Sequence, residues 1–479
     1  LSVQNQIGVG MMGVGSLLAT GGSQLESGGA VLGRENDGHG SAILQGTDTR
    51  WTIFDSLDVG HDGVGLLDVG GHARVETMRL NLGRSGSGYG HVLVGGGGVL
   101  EAGEIYVGGC ERGSGGQGKL EAAGGGQIVA DTLKLWDTGD ALRLSGGTVT
   151  VRDMWAERGV LDLMDGLLHV QGGSLRLDDH LSLSGDSPAD RPTIRLSGGA
   201  TLNEGDSFDG NLTIGDDNPA AFELLSGSTA TVSGEVTLGE EEHGDGRLTV
   251  SGYGSALSLR GNLRLGPMGY GELIVNDGGA VVQEVSPHDT KETNIGGSQN
   301  GEGRIAVSGA GSSLTLDRLF GYRGEFSLAD GARMQTTQTR LGAGDASDDI
   351  FTARLEGDGT RWTNEETFTM AQSRPVTLDI LDGAELINGL GLPRDPHHFS
   401  ISTSNDRRGE VLVAGAGSRL VQHGNLYVAG EPGDENGQGV LTVAAGGEVV
   451  VDNELVVPSS YSSTRLVVDG GSVTTRSLT

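Results

Sequence analysis

A short phrase recurs from one end of this chain to the other: an apolar alternating strand, a glycine turn, then a second alternating strand. It reads GLLDVGGHARVETMRLNLG from Gly65, GEFSLADGARMQTTQTRLG from Gly324 and GVLTVAAGGEVVVDNELVV from Gly439. A second phrase interleaves with it, as LQGTDTRWTIFDSLDVG from Leu44, VSGYGSALSLRGNLRLG from Val250, LEGDGTRWTNEETFTMA from Leu355 and VAGAGSRLVQHGNLYVAG from Val413. Repetition at a period of a few tens of residues is the signature of a solenoid and restricts the fold more than any local motif.

Successive side chains of a strand point to opposite faces, so Leu67 and Val69 share one face while Leu66 and Asp68 share the other. Gly70 and Gly71 break that strand, Val75 resumes it, and a third strand carries Leu80 and Leu82 before Gly83. Glycines close the third strand at Gly60, Gly83 and Gly108, and again at Gly215, Gly239, Gly266, Gly296, Gly321 and Gly342. One turn therefore takes roughly 21 to 30 residues and must pair with the turns above and below it. The predicted fold is all-β: a right-handed parallel β-helix, a three-sided solenoid of roughly 20 rungs with a narrow aliphatic interior. The right hand follows from the handedness of parallel crossovers, and the hexapeptide period of left-handed forms is absent.

The chain holds 89 glycines, yet no stretch keeps the every-third-residue step of collagen. At 35% hydrophobic residues in alternating register, it also departs from the composition of disordered chains. Glycine here marks corners where φ > 0 or close stacking excludes a Cβ. With 32 Lys+Arg against 64 Asp+Glu, the net charge of −32 argues against nucleic acid or anionic membrane as partners. Cys110 is alone, so no disulfide within the chain holds the fold. Only Lys119, Lys134 and Lys291 are lysine among the basic residues, a bias that, with the abundant Gly, Ala and Val, suggests a GC-rich bacterial genome. The chain starts at Leu1 without a methionine and ends mid-pattern at Thr479, and is read as a fragment of a longer exported polypeptide.

One continuous rod over residues 1–479 is expected, less regular at about 134–210, where glycine separators shorten or vanish. Two interruptions, at about 283–293 and 387–408, are expected to protrude as surface loops.

The alternation of GxLxVxxGGxV with VxGxGSxLxxxxxLxVG, with Trp variants at Trp51 and Trp362, resembles the repeat associated with type V secretion and PEP-CTERM proteins. It is similar to the passenger regions of autotransporters of the antigen-43 and diffuse-adherence adhesin kind, over about residues 40–130 and 210–479, and loosely between. The resemblance implies a bacterial surface or secreted passenger that acts without enzymatic activity in adhesion, self-association or biofilm formation. It implies attachment to the outer membrane only through a C-terminal β-barrel outside this sequence.

Catalytic signatures are sparse. Gly38-His39-Gly40 matches a tripeptide of polygalacturonases, but the pairs Asp178/Asp179, Asp216/Asp217 and Asp348/Asp349 all follow it and no basic RIK segment exists. His39 is read as a corner-loop residue. Ser187 and Ser207 follow Gly-Asp without the surrounding serine-protease pattern and are read as turn residues. His397 and His398 lack the further ligands of a zinc site. The feature that the rung model turns into a surface is a set of acidic corner loops. They carry Glu35 and Asp37, Asp62, Asp216 and Asp217, Glu240, Glu241, Glu242 and Asp245, Asp345, Asp348 and Asp349, and Glu431, Asp434 and Glu435. If the rungs are in register, these align into an acidic ridge, read either as a solvated edge or as an attachment ridge using hydrogen bonds or bridging Ca²⁺. No other cofactor is expected. The expected partner is a second copy of the chain, or a glycan or protein of a host or other surface. The competing readings are a β-helical polysaccharide-degrading enzyme and a passive stalk.

Overall fold

Leu67 and Val69 are buried and Leu66 is exposed in the strand Val64–Gly70, as its alternation requires. The next strand, Arg74–Leu82, buries Val75, Leu80 and Leu82. This pattern recurs throughout the computed structural model. The structure describes residues 1–479 apart from 138, 157–158, 178–179, 204–209, 287–288, 298–299, 346, 391–396, 404–406, 431–436 and 459–463. The described residues are all-β, with parallel strands stacked as a β-solenoid of about 18 turns. That is fewer than the 20 expected, because many turns carry corner loops that lengthen them. The chain divides into two compact units. The first comprises 1–208, 220–223 and 228–230, and the second 209–219, 224–227 and 231–479.

Pairing is rung on rung. In the first unit Gly40 pairs with Gly65 and Gly65 with Gly90, while Trp51 pairs with Val75 and Val75 with Leu100. The expected corner between the second and third strands is often a bend inside one continuous strand: the register of Arg50–Val59 against Arg74–Leu82 shifts between Ile53 and Ser56. Such a shift re-aims the chain while keeping the ladder on both sides. The sequence from 134 onward, poor in glycine separators, forms long strands that run through a corner in this way, Ala141–Ala156 and Val160–Gln171.

Two kinds of corner require glycine or its conformational equivalent. At the end of the third strand Gly60 has φ 74° and Gly239 has φ 69°, and a Cβ on either would sit 2.0 Å from the carbonyl oxygen of the next turn, Tyr89 or Tyr270. Most of the other glycines predicted to close a third strand share this left-handed conformation; Gly321 instead ends the strand Ser313–Gly321.

The corner between the first and second strands explains why two phrases alternate. The second phrase ends its turn on Ser or Thr, and that buried hydroxyl accepts a hydrogen bond from a corner glycine of the preceding turn. The pairs are Gly22 N to Thr49 Oγ1 at 3.1 Å, Gly227 N to Ser255 Oγ at 2.9 Å and Gly278 N to Ser312 Oγ at 3.0 Å. Gly331 N to Thr360 Oγ1 at 2.9 Å and Gly383 N to Ser418 Oγ at 3.0 Å continue the series. Thr49, Ser255, Thr360 and Ser418 also donate to the carbonyl four residues earlier in their own turn. One hydroxyl thus satisfies a donor and an acceptor at a half-buried corner, which in the second unit favours a turn of the second kind after one of the first.

Aliphatic side chains dominate the interior, but the second unit adds two features that the sequence did not suggest. Phe326, Trp362, Phe368 and Phe399 form a continuous aromatic column with ring centroids 5.0, 5.0 and 4.6 Å apart, tilted, edge-on and stacked in turn. Beside it runs a buried amide ladder: Asn364 Nδ2 donates to Asn388 Oδ1 at 2.6 Å, and Asn388 Nδ2 to Gln422 Oε1 at 2.6 Å. Thr336 and Thr339 donate to Asn364, and the Trp362 indole donates to Thr336, so the ladder meets the column. Phe399 lies in the strand His398–Ser400, within the stretch 387–408 where a loop was expected.

Replacing Thr360 by Val keeps the shape but removes both hydrogen bonds of its hydroxyl. The second unit is expected to lose about 1–3 kcal/mol, the cost of leaving buried polar groups unmade, read as a lower thermal or urea midpoint in circular dichroism. An unchanged midpoint would show that the hydroxyl does not hold the corner.

Candidate functional site

Within each unit, some of the corner loops that carry the acids lie one over the next. In the first unit Glu35 N bonds Met11 O at 3.0 Å, Asp62 N bonds Arg34 O at 2.9 Å and Ser85 N bonds His61 O at 3.0 Å. Glu35 and Asp62 therefore occupy neighbouring levels of one edge, with Asp37 exposed beside them. In the second unit Glu240 N bonds Gly215 O and Glu241 N bonds Asp216 O, each at 3.1 Å, so the loop of Glu240, Glu241 and Glu242 lies directly over that of Asp216 and Asp217. Asp245 opens the following strand, Asp245–Ser251. Glu431, Asp434 and Glu435 lie outside the described residues, as do Asp178, Asp179 and Ser207.

The loops differ in how far their charges are already matched. Asp62 accepts from the Ser85 hydroxyl and lies 2.8 Å from His61 Nδ1; the Ser85 hydrogen bond, then His61, holds its carboxyl below the usual range despite some burial. Asp348 is 2.6 Å from Arg407, and Asp349 is 3.6 Å from both Arg323 and the buried Arg374. These two acids tie their loop to arginines on other turns, whereas Asp345 in the same loop is exposed. Glu240, Glu241, Glu242 and Asp217 are exposed; of the four, only Glu240 receives a side-chain hydrogen bond from a described residue, Thr213, at 3.3 Å. Among the described residues no group of three or more His, Cys, Asp and Glu is placed to hold a metal ion.

Of the other residues singled out from the sequence, His39 is the exposed first residue of the strand His39–Gln45 rather than part of a loop. Ser187 sits in a turn, its hydroxyl 2.7 Å from Asp190. His398 meets Tyr427 edge-on at 6.1 Å.

The outer faces also carry ladders of alternating charge. In the first unit Glu76 joins Arg50 and Arg74, and Arg74 reaches Glu101. In the second, Glu272 lies between Arg247 at 2.7 Å and Arg304 at 2.9 Å. Glu385 lies between Arg361 at 2.6 Å and Arg419 at 3.4 Å, and Arg419 reaches Glu448 at 2.8 Å. A sequence signal existed for the last of these: Arg333, Arg361, Glu385, Arg419 and Glu448 each stand two residues after a corner glycine.

Two grooves accompany these ladders. One, of about 570 Å³ in the first unit, follows the strand bend and is lined by the exposed Phe54 and Met78, by Gly103, and by Glu76, Glu101 and Asp131. Burial alone would raise the Glu76 carboxyl, but the hydrogen bonds from Arg50 and Arg74 outweigh it and hold Glu76 ionised. The other, of about 300 Å³ in the second unit, is polar and lined by Arg333, Arg361 and Arg419.

Asp140 and Asp379 depart from this pattern, each raised by burial. Asp140 is fully buried in the first unit, accepting from Gly118 N at 2.9 Å and Asp137 N at 2.8 Å. Burial pushes its carboxyl above the usual range, against the pull of those two amides.

No family model matches the chain, and no curated protein does. Among solved structures, it aligns with the TibC-catalysed hyper-glycosylated fragment of TibA spanning residues 55–350 of that protein. The identity is 14% and the TM-score 0.20, over 100% of this chain and 99% of that one. At so low a superposition the functional reading rests on this chain's own residues.

A group whose folded pKa lies above its unfolded value binds an extra proton when folded, so its stabilising contribution is complete at low pH and lost as pH rises through the folded value. Asp140→Asn cannot ionise and escapes that loss. The difference in thermal midpoint between Asp140→Asn and the parent is expected to shift in the variant's favour from about pH 4 towards neutrality. A difference that stays flat with pH would contradict the assignment.

Proposed function

We propose that this chain is a non-enzymatic attachment passenger of a bacterial autotransporter, displayed at the cell surface or released from it, acting in adhesion, self-association or biofilm formation. The observation that carries this reading is the rung-to-rung register of outward side chains within each unit. Stacked loops such as Asp216–Asp217 beneath Glu240–Glu242 repeat a polar group at successive levels of one edge. A surface of this kind suits many weak contacts that add up rather than one converging centre. The recurrence of the two phrases as alternating turns supports the family resemblance on which the export route rests.

The partner is a second copy of the chain, or a surface glycan or protein, engaged by the exposed acids directly or through bridging Ca²⁺. Such bridging is weak at any single site, because Ca²⁺ prefers six to eight oxygens, and it would draw on oxygens from both partners.

The test is display of the chain on bacteria that otherwise stay dispersed, measured by settling and by retention on glycan-coated and bare surfaces, with and without chelator. Clumping or retention is expected. It should fall at least about tenfold when Glu240, Glu241 and Glu242 are changed together to Lys, a loss equivalent to about 1.4 kcal/mol. Release of reducing ends from polysaccharide would replace this reading with an enzymatic one, and silence in every assay would leave a passive stalk.

A further inference from the structure

Stacked arginines occur in both units, but with different company. In the first unit Arg50 pairs directly with Arg74, and Glu76, two residues after Arg74, hydrogen-bonds both. In the second unit Arg333 pairs directly with Arg361 in the same way. The residue two after Arg361 is Thr363, a neutral side chain at the position of the bridging acid. Arg361 finds Glu385 on the turn above, at 2.6 Å. Arg333 is exposed, and its side chain makes no hydrogen bond or ion pair with any described residue. Like charges directly opposite in neighbouring strands are unfavourable. A stack of this kind in a chain of net charge −32, with no acid between the two guanidinium groups, therefore asks for an explanation.

The stack opens on the 300 Å³ groove. Gly359 and Gly383, with φ values of 78° and 91°, line it with backbone alone. Arg333, Arg361 and Arg419 line it, with Glu385 between the last two and the exposed Asp358 also in the lining.

We propose that this groove binds an acidic sugar residue, its carboxylate taking between Arg333 and Arg361 the place that Glu76 takes between Arg50 and Arg74. A guanidinium pair suits a planar carboxylate because two parallel N–H···O bonds fit its geometry. Glu385 and Asp358 accept hydrogen bonds from ring hydroxyls, which a sugar supplies and an acidic peptide does not. The groove lies at the small end of ligand sites, the size of about one ring. The inference rests on the arginine register and the groove beside it, not on self-association, so a chain that fails to clump would leave it standing.

The test is calorimetric titration of the whole chain with tri-galacturonate at low ionic strength, beside its methyl ester, tri-glutamate and sodium acetate. Binding of tri-galacturonate near about 1 mM is expected, with the ester, peptide and acetate each at least about tenfold weaker, a difference of about 1.4 kcal/mol. Thr363→Glu, which installs the internal carboxylate of the first unit, should abolish binding while keeping the circular dichroism spectrum and thermal midpoint. Arg333→Gln should weaken it by about tenfold, and Arg50→Gln should leave it unchanged. Equal binding of the ester would overturn the role of the carboxylate, and equal binding of tri-glutamate or acetate would overturn the choice of a sugar. Undiminished binding by Thr363→Glu, or none by the parent chain, would overturn the site.

Discussion

Parallel strands of successive turns lie about 4.8 Å apart, and in this protein the corners must come as close as the strands do. A helix satisfies its backbone within itself, but a turn of a solenoid satisfies its backbone only through its neighbours. The corner is where that is hardest, since the chain reverses and its amides leave the ladder. The left-handed glycines at Gly60 and Gly239 answer the steric half of the problem, with the next turn's carbonyl oxygen only 2.0 Å from where a Cβ would stand. The stacked Ser and Thr hydroxyls answer the polar half.

From that constraint follows the two-phrase rhythm of the chain. A glycine corner leaves an amide pointing along the stack, and the hydroxyl of the following turn is short enough to meet it without widening the spacing. Interior polar groups obey the same rule. Asn364, Asn388 and Gln422 are fully buried and would each be costly alone, yet an amide is donor and acceptor at once and can pass hydrogen bonds from level to level. Trp362 belongs to both systems, tilted against Phe326 and edge-on to Phe368 while its indole N–H reaches Thr336.

What was legible in the sequence is what repeats along it. The inward set of Leu67, Val69, Val75, Leu80 and Leu82 could be read from alternation, and the corners from glycine, because both depend on residues a few positions apart. The acidic loops could be placed at common corners for the same reason, and Glu35 with Asp62, or Asp216 with Glu241, do lie one level apart. Their partners could not be read. Asp348 meets Arg407 across 59 residues, and Asp349 meets Arg323 and Arg374 on different turns. Those pairings depend on loop lengths that set which residue of one turn lies over which of the next, and periodicity does not fix them. The stretch 387–408 hid Phe399 for a related reason: a strand of three residues, His398–Ser400, is too short to show a period.

Register also decides what the outer surface does with its charge. A chain with twice as many acids as bases cannot neutralise every level, and its ladders alternate the two signs only in places: Arg74 reaches Glu76 and Glu101, while Glu272 and Glu385 each lie between two arginines. Exposed pairs of this kind add little stability each, about 0–1 kcal/mol, so the ladders matter less as struts than as a pattern. Where the alternation is complete, the face is locally neutral and offers nothing to a charged partner. Where it lapses, at the loop of Glu240–Glu242 on the acidic side and at Arg333 over Arg361 on the basic side, uncompensated charge of one sign is held at a fixed spacing by the backbone beneath. At such interruptions a partner's charge would replace water, whereas elsewhere on the face it would compete with an internal mate.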